Sequence, residues 1–188
     1  MKTTTLGNLA VLTLTNPAEA ARQLLAFRIG REVLWLAFFL AVVLNGLVQF
    51  GFEHMLPTPD GLSLPEREPI FMSLIRSSVY MLFSIVAFLA VGRLLGGQGT
   101  FVEIMTLTVW LQYLQTAASV AALILAIIAP MLMVLFLFVI ALVSLYVTLH
   151  FLNEAHKFGT LWKSFGVIVL SALVAAPFVL ALTPNAPV

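Results

Sequence analysis

IMTLTVWLQYLQTAASVAALILAIIAPMLMVLFLFVIALVSLYVTL, from Ile104 to Leu149, runs 46 residues without an Asp, Glu, Lys or Arg, and Pro130 near its middle is its one strong helix breaker. A stretch this apolar belongs in lipid. As one straight helix it would extend roughly 70 Å at 1.5 Å per residue, more than twice the roughly 30 Å hydrocarbon core. It must fold back on itself, and two spans joined at Pro130 are the simple solution.

The remainder of the chain agrees. Apolar residues make up 62% and charged residues 9%, with a mean hydropathy of +1.10, whereas soluble domains carry about a quarter charged residues. A chain of 188 residues has room for several spans but no additional soluble domain. A formal charge of +1 argues against a nucleic-acid partner. The absence of cysteine removes thiol chemistry, disulfides and cysteine-ligated metals.

Val33 to Phe52 is a charge-free run of spanning length. Further spans are expected at about 71–95, 101–128, 131–152 and 165–182. The fold class is therefore all-α, a bundle of five transmembrane helices preceded by an amphipathic interfacial helix. Residues 1–32 form a cytoplasmic leader, 33–182 the membrane domain and 183–188 a short external tail. Cytoplasmic loops hold the excess of Lys and Arg. Lys2, Arg22, Arg28, Arg31, Arg93, Lys157 and Lys163 fall on one face, with Arg67 and Arg76 on the other. This places the N-terminus in the cytoplasm and the C-terminus outside, and puts Trp35 and Trp162 near the cytoplasmic interface, where indoles prefer to sit.

Asn16-Pro17-Ala18-Glu19 reads as a helix start, with Asn16 as cap, Pro17 in the first turn and Glu19 returning a hydrogen bond. Ala21, Leu24, Leu25 and Arg28 set an apolar stripe beside cations, as in a helix lying among headgroups. Leu6, Leu9 and Leu12 or Thr13 suggest a weaker interfacial helix upstream. The leader reads as a membrane anchor, or as a docking surface for a cytoplasmic partner. Lys2, the Leu6–Leu14 segment and Ala18-Glu19-Ala20 superficially resemble a signal peptide with its cleavage site. Gly7, Asn8 and Thr13 interrupt that apolar region, however, and cleavage would leave Arg22, Arg28 and Arg31 on the wrong side, so the leader is expected to be retained. Glu53 to Pro69, with four prolines and Asp60-Gly61, reads as an acidic external loop whose carboxylates are solvated.

Polar groups within spans are expensive and mark contacts or function. Arg76 and Arg93 lie about 25 Å apart along one helix, so each can snorkel to its own interface. Glu103, just past the Gly96-Gly97-Gln98-Gly99-Thr100 turn, is placed to pair with Arg93 across the hairpin. That turn lacks the Gly-Lys-Ser/Thr of a phosphate-binding loop. Thr108, Gln112, Gln115 and Ser119 share one helix face, which points at protein. Ala118, Ala122 and Ala126 continue it as a ridge that lets another helix approach, the surface a foreign helix would use if the protein were an accessory subunit. Asn45 and Gln49 end a similar ridge, and their amides are expected to bond those of Gln112 and Gln115 as helix glue. The alternative is a path for an ion or polar solute along the same residues. His150, Asn153, Glu154 and Lys157 form a helix-end polar cluster, joined in sequence by His156. His150 and Glu154 have ligand spacing, but His-Glu-x-x-His is absent and no third ligand is evident. No nucleophile, base and orienting group occur together, so neither an enzyme, a metal nor a cofactor is expected.

The parts follow in order: a short leader, Pro-Ala-Glu-Ala-Ala-Arg at Pro17 to Arg22, five expected spans, Gly-Gly-x-Gly-x-Phe at Gly96 to Phe101, and a Lys-containing turn before the last span. This order resembles that of a bacterial member of the Yip family, the Ypt/Rab-interacting membrane proteins. The resemblance implies five spans, a cytoplasmic N-terminus and, in eukaryotic members, trafficking roles with prenylated Rab GTPases or other membrane partners. This leader lacks the acidic-Leu-Tyr-Gly-Pro segment, a departure that counts against a Rab-type GTPase and leaves no Rab-contact residue to carry over. The expected role is non-enzymatic, organising or supporting other components of the bacterial inner membrane, with the bilayer and a membrane protein or a second copy as partners.

Overall fold

The structure, a computed structural model, describes residues 5–27, 29–55 and 69–182, the last five of these by backbone only. Lys2, Arg28, Arg67, most of the expected acidic loop and the tail 183–188 lie outside the described residues.

Asn16 and Pro17 divide the leader into two helices, α1 (Leu6–Thr15) and α2 (Pro17–Ala26). The Asn16 side chain accepts from the Glu19 amide at 3.2 Å, and Pro17 sits in the first turn, where an N–H would have no helical partner. Glu19 does not return the bond. The Asn16 amide instead closes α1 on the Leu12 carbonyl at 2.7 Å, which leaves the Glu19 carboxylate to Arg22 and Gln23.

Five long helices follow: α3 (Arg31–Met55), α4 (Ile70–Leu94), α5 (Phe101–Ile128), α6 (Pro130–His156) and α7 (Leu161–Leu182). The first four are long and apolar enough to cross a membrane. α7 has 22 residues with Pro177 inside, a break that neighbouring helices can tolerate in lipid. The α5–α6 hairpin needs one linking residue. Ala129 closes α5 on Leu125 at 2.7 Å, and Pro130, with no N–H to continue a helix, opens α6. At the far end of α6 Lys157 turns left-handed, φ 56°, and the amides of Lys157 and Phe158 both fold back to the Asn153 carbonyl. Connections this short make α4 to α7 run antiparallel in succession. α5 packs against α3 and α6, α4 against α7 and α3, and the leader against α6 and α5.

Burial is uneven along the helix axes. Leu34, Phe38 and Val42 of α3, Ile85 and Val91 of α4, Ile104, Met105 and Val109 of α5, Val147, Phe151 and Ala155 of α6, and Val167 of α7 form the core, joined by Leu9, Ala20, Ala21 and Leu24 of the leader. These residues occupy the end of the bundle that carries Arg22, Arg31, Arg93, Lys157 and Lys163. In the opposite half no residue of α4 before Ile85 and none of α6 before Val147 is buried. Ala122 and Ala126 are exceptions there, at 0% and 6% exposed. The alanine ridge expected to meet a foreign helix is thus largely covered by this chain's own bundle. Small residues serve close approach on α3 as well: a Cβ on Gly51 would stand 2.9 Å from the Leu123 side chain.

Candidate functional site

The packed end is knotted around His156, which is fully buried. Its Nδ1 accepts from the Gly99 amide at 3.3 Å, and its Nε2 lies 3.2 Å from the Phe88 carbonyl. An amide can only donate and a carbonyl only accept, so the ring is the neutral tautomer with its proton on Nε2. Gly92, Gly97 and Gly99 make room for it. A Cβ on Gly92 would overlap the imidazole, and Cβ atoms on Gly97 and Gly99 would stand 2.5 and 2.8 Å from Nδ1. The Gln98 amide donates to the His156 carbonyl at 3.0 Å, and Phe158 stacks on the ring at 5.1 Å, itself covered by the Lys163 ammonium. One side chain therefore ties the end of α4, the α4–α5 turn and the end of α6. Sequence reading passed His156 over in favour of its helix-mates. The usable signal was four glycines within the eight residues from Gly92 to Gly99, more than a single tight turn needs.

Within the cluster of His150, Asn153, Glu154 and Lys157, Glu154 makes the one long-range ion pair among the described residues. It receives the Arg22 guanidinium at 2.9 Å, and Arg22 also holds Glu19 at 2.8 Å. His150 packs edge-on against Tyr146, Lys157 lies beyond the helix, and the Asn153 Oδ1 is buried with no partner among the described residues. The Arg22 bridge joins the leader to α6, and a second contact joins it to α5. The Trp110 indole donates to the Thr13 hydroxyl at 3.0 Å, which in turn donates to the Leu9 carbonyl. Hydrogen bonds from Gln23 and Arg22 hold the Glu19 carboxyl below its ordinary pKa. Arg22 is pushed up, first by its bond to Glu19 and then by the charge of Glu154. The inner face of the leader thus grips protein.

The expected Arg93–Glu103 ion pair does not form. Glu103 closes a capping box, accepting from the Thr100 amide and hydroxyl at 2.8 Å while its own amide bonds the Thr100 hydroxyl. Arg93 instead donates to the Gly99 carbonyl at 3.4 Å. Nor do the amides of the first and third spans meet. Gln115 donates to Ser144 of α6, and α5 reaches α3 through Tyr113, whose hydroxyl bonds the Ala37 carbonyl at 2.8 Å. Asn45 is half-buried, Gln49 is exposed, and Ser119 is half-buried.

Thr108, Gln112 and Gln115 do come together. With Ser84 and Thr148 they line one side of a half-open cleft of about 280 Å³ between α4, α5 and α6, walled elsewhere by residues such as Phe88, Leu111 and Phe151. Ser84 and Thr148 turn their hydroxyls back to carbonyls of their own helices, leaving the Thr108 hydroxyl and the Gln112 amide to bond an occupant. No charged side chain lines the cleft. Among the described residues no three metal-ligating side chains gather anywhere.

No curated protein and no solved structure matches this chain. The Yip1 domain matches residues 11–183, from the middle of α1 past the end of α7, and so takes in the leader clasp, the His156 knot and every long helix. With that match over most of its length and an all-helical membrane bundle beneath it, the chain belongs to the Yip1 domain family.

Proposed function

We propose that this protein is a non-enzymatic, five-span member of its family that organises or supports other components of a bacterial cytoplasmic membrane through helix packing. Its N-terminus lies in the cytoplasm and its C-terminus outside. The supporting observation is the unequal packing of the two halves. From Pro130 to Tyr146 α6 has no buried residue, and Met131, Val134, Leu135, Phe138 and Leu142 are 53–90% exposed. That surface is open to lipid, to another helix or to a second copy. The test is extraction in mild detergent by a C-terminal tag, with quantitative mass spectrometry of co-purifying chains. A stoichiometric membrane partner or a homo-oligomer is the expected result; a lone monomer counts against the reading.

A second reading rests on the cleft. An amide left unbonded at membrane depth costs a few kcal/mol, so Gln112 calls for water or a polar solute. A small solute carrier predicts that Gln112→Leu abolishes flux in proteoliposomes without loss of fold. Under the packing reading there is no flux to abolish, and the variant leaves co-purification intact.

A further inference from the structure

At the cation-rich end of the bundle, the first turns of α3 and α5 border a half-open cavity of about 380 Å³ lined by Arg31, Leu34, Trp35, Thr100, Phe101 and Val102. Its lining is divided by chemistry. Leu34 is a buried apolar floor, and the Trp35 ring lies 6.4 Å from Phe101. Arg31 is exposed and makes no ion pair with a described residue. A second guanidinium stands close, because Arg93 bonds the carbonyl of Gly99, the residue before Thr100. Neither nearby carboxylate forms an ion pair with Arg31: Glu103 is held by its capping box, and Glu32 is exposed without an ion pair among the described residues.

A solvated arginine needs no aromatic wall, and an arginine that pins a fold needs an acid. Arg31 has the wall and, among the described residues, no acid paired with it. The cavity also lies at the ends of two spanning-length helices; with those helices spanning as in the proposed function, on which this inference rests, that is the level of headgroups, where indole rings partition. Its volume falls in the range of small-molecule sites. The geometry points to a binding site for the phosphodiester headgroup of an anionic phospholipid. The Arg31 guanidinium takes the phosphate, and Trp35 and Phe101 border the glycerol and the first carbons of the acyl chains. A planar guanidinium suits a phosphate because it donates two parallel hydrogen bonds. Basic pockets between transmembrane helices on the cytoplasmic side bind anionic headgroups on the same principle.

Native mass spectrometry of the full chain, released from detergent after titration with phosphatidylglycerol or phosphatidylcholine, tests the site. Wild-type protein is expected to retain one phosphatidylglycerol in preference to phosphatidylcholine. Arg31→Gln weakens retention about fivefold, the worth of one basic residue at such a surface. Arg31→Lys keeps part of it, and Lys163→Gln leaves it unchanged. Glu32→Gln is the second variant: removing a neighbouring negative charge tightens binding, and it keeps the question answerable if Arg31→Gln fails to fold. Equal retention by wild type and Arg31→Gln overturns the site, as does no tightening in Glu32→Gln or equal retention of phosphatidylcholine. Release of the lipid by millimolar inorganic phosphate would assign the pocket to a soluble anion and overturn the lipid assignment.

Discussion

At the scale of single residues, the knot makes a prediction whose sign is informative. Glycine inside a helix is normally worse than alanine by up to about 1 kcal/mol, so Gly92→Ala on an open face would stabilise α4. Here the new Cβ meets the buried imidazole, and overpacking of this kind costs about 1–3 kcal/mol. Thermal unfolding in detergent is expected to show Gly92→Ala less stable than wild type. Adding His156→Ala should recover part of that loss, since it removes the overlapping ring. A stabilised Gly92→Ala would mean that the imidazole does not fill the cage. Glu103 shows how a residue can be read on the right element with the wrong partner. The spacing Thr100-x-x-Glu103 is itself a capping-box signature, and a neighbouring N-terminal amide and hydroxyl are nearer and more fixed than a flexible arginine across a turn.

At the scale of elements, the leader is held by contacts of different kinds. Arg22 is half exposed, so its pair with Glu154 adds little by itself. Orientation comes from Trp110 and Thr13 on one side and from the buried Ala20, Ala21 and Leu24 on the other. The carboxyl of Glu19 titrates lower in the folded leader than in an open one. Its contribution is present above the ordinary glutamate pKa and is lost as pH falls through the depressed folded value. Protection of the α2 amides, taken relative to their intrinsic exchange rates, is expected to fall on acidification across that window, and Glu19→Gln should flatten this dependence. A dependence that survives in Glu19→Gln would place the titrating group elsewhere. The cap of α2 was legible from Asn16-Pro17 alone, because capping is local. That the stripe on α2 faces α5 and α6 was not, since an amphipathic pattern names the buried face and says nothing of what buries it.

At the scale of the whole molecule, two phenylalanines separate the halves. Phe38 is fully buried and Phe138 is 62% exposed. Phe38→Ala is expected to cost about 3–5 kcal/mol and Phe138→Ala less than about 0.5 kcal/mol, both read from unfolding in detergent. Comparable losses would show that the open half is as tightly packed as the knotted one, and would remove the basis for assigning it to lipid or a partner.

Residues alone determined that this is a helical membrane protein, and they put most of its cations at one end of the expected spans. Charge-free runs, Pro130 and the Lys and Arg pattern act through lipid solvation and backbone chemistry, which need no knowledge of neighbours. They also identified Thr108, Gln112 and Gln115 as a shared face, because helical periodicity is local. Only the tertiary structure decided what meets that face. It gave Gln115 to Ser144, left Gln112 to the cleft, separated both from Asn45 and Gln49, and placed His156 among three glycines from 57 to 64 residues earlier. Those choices depend on the rotation of each helix about its own axis. In lipid, apolar character does not fix that angle, because every face of such a helix is equally at ease; close packing and a few hydrogen bonds do.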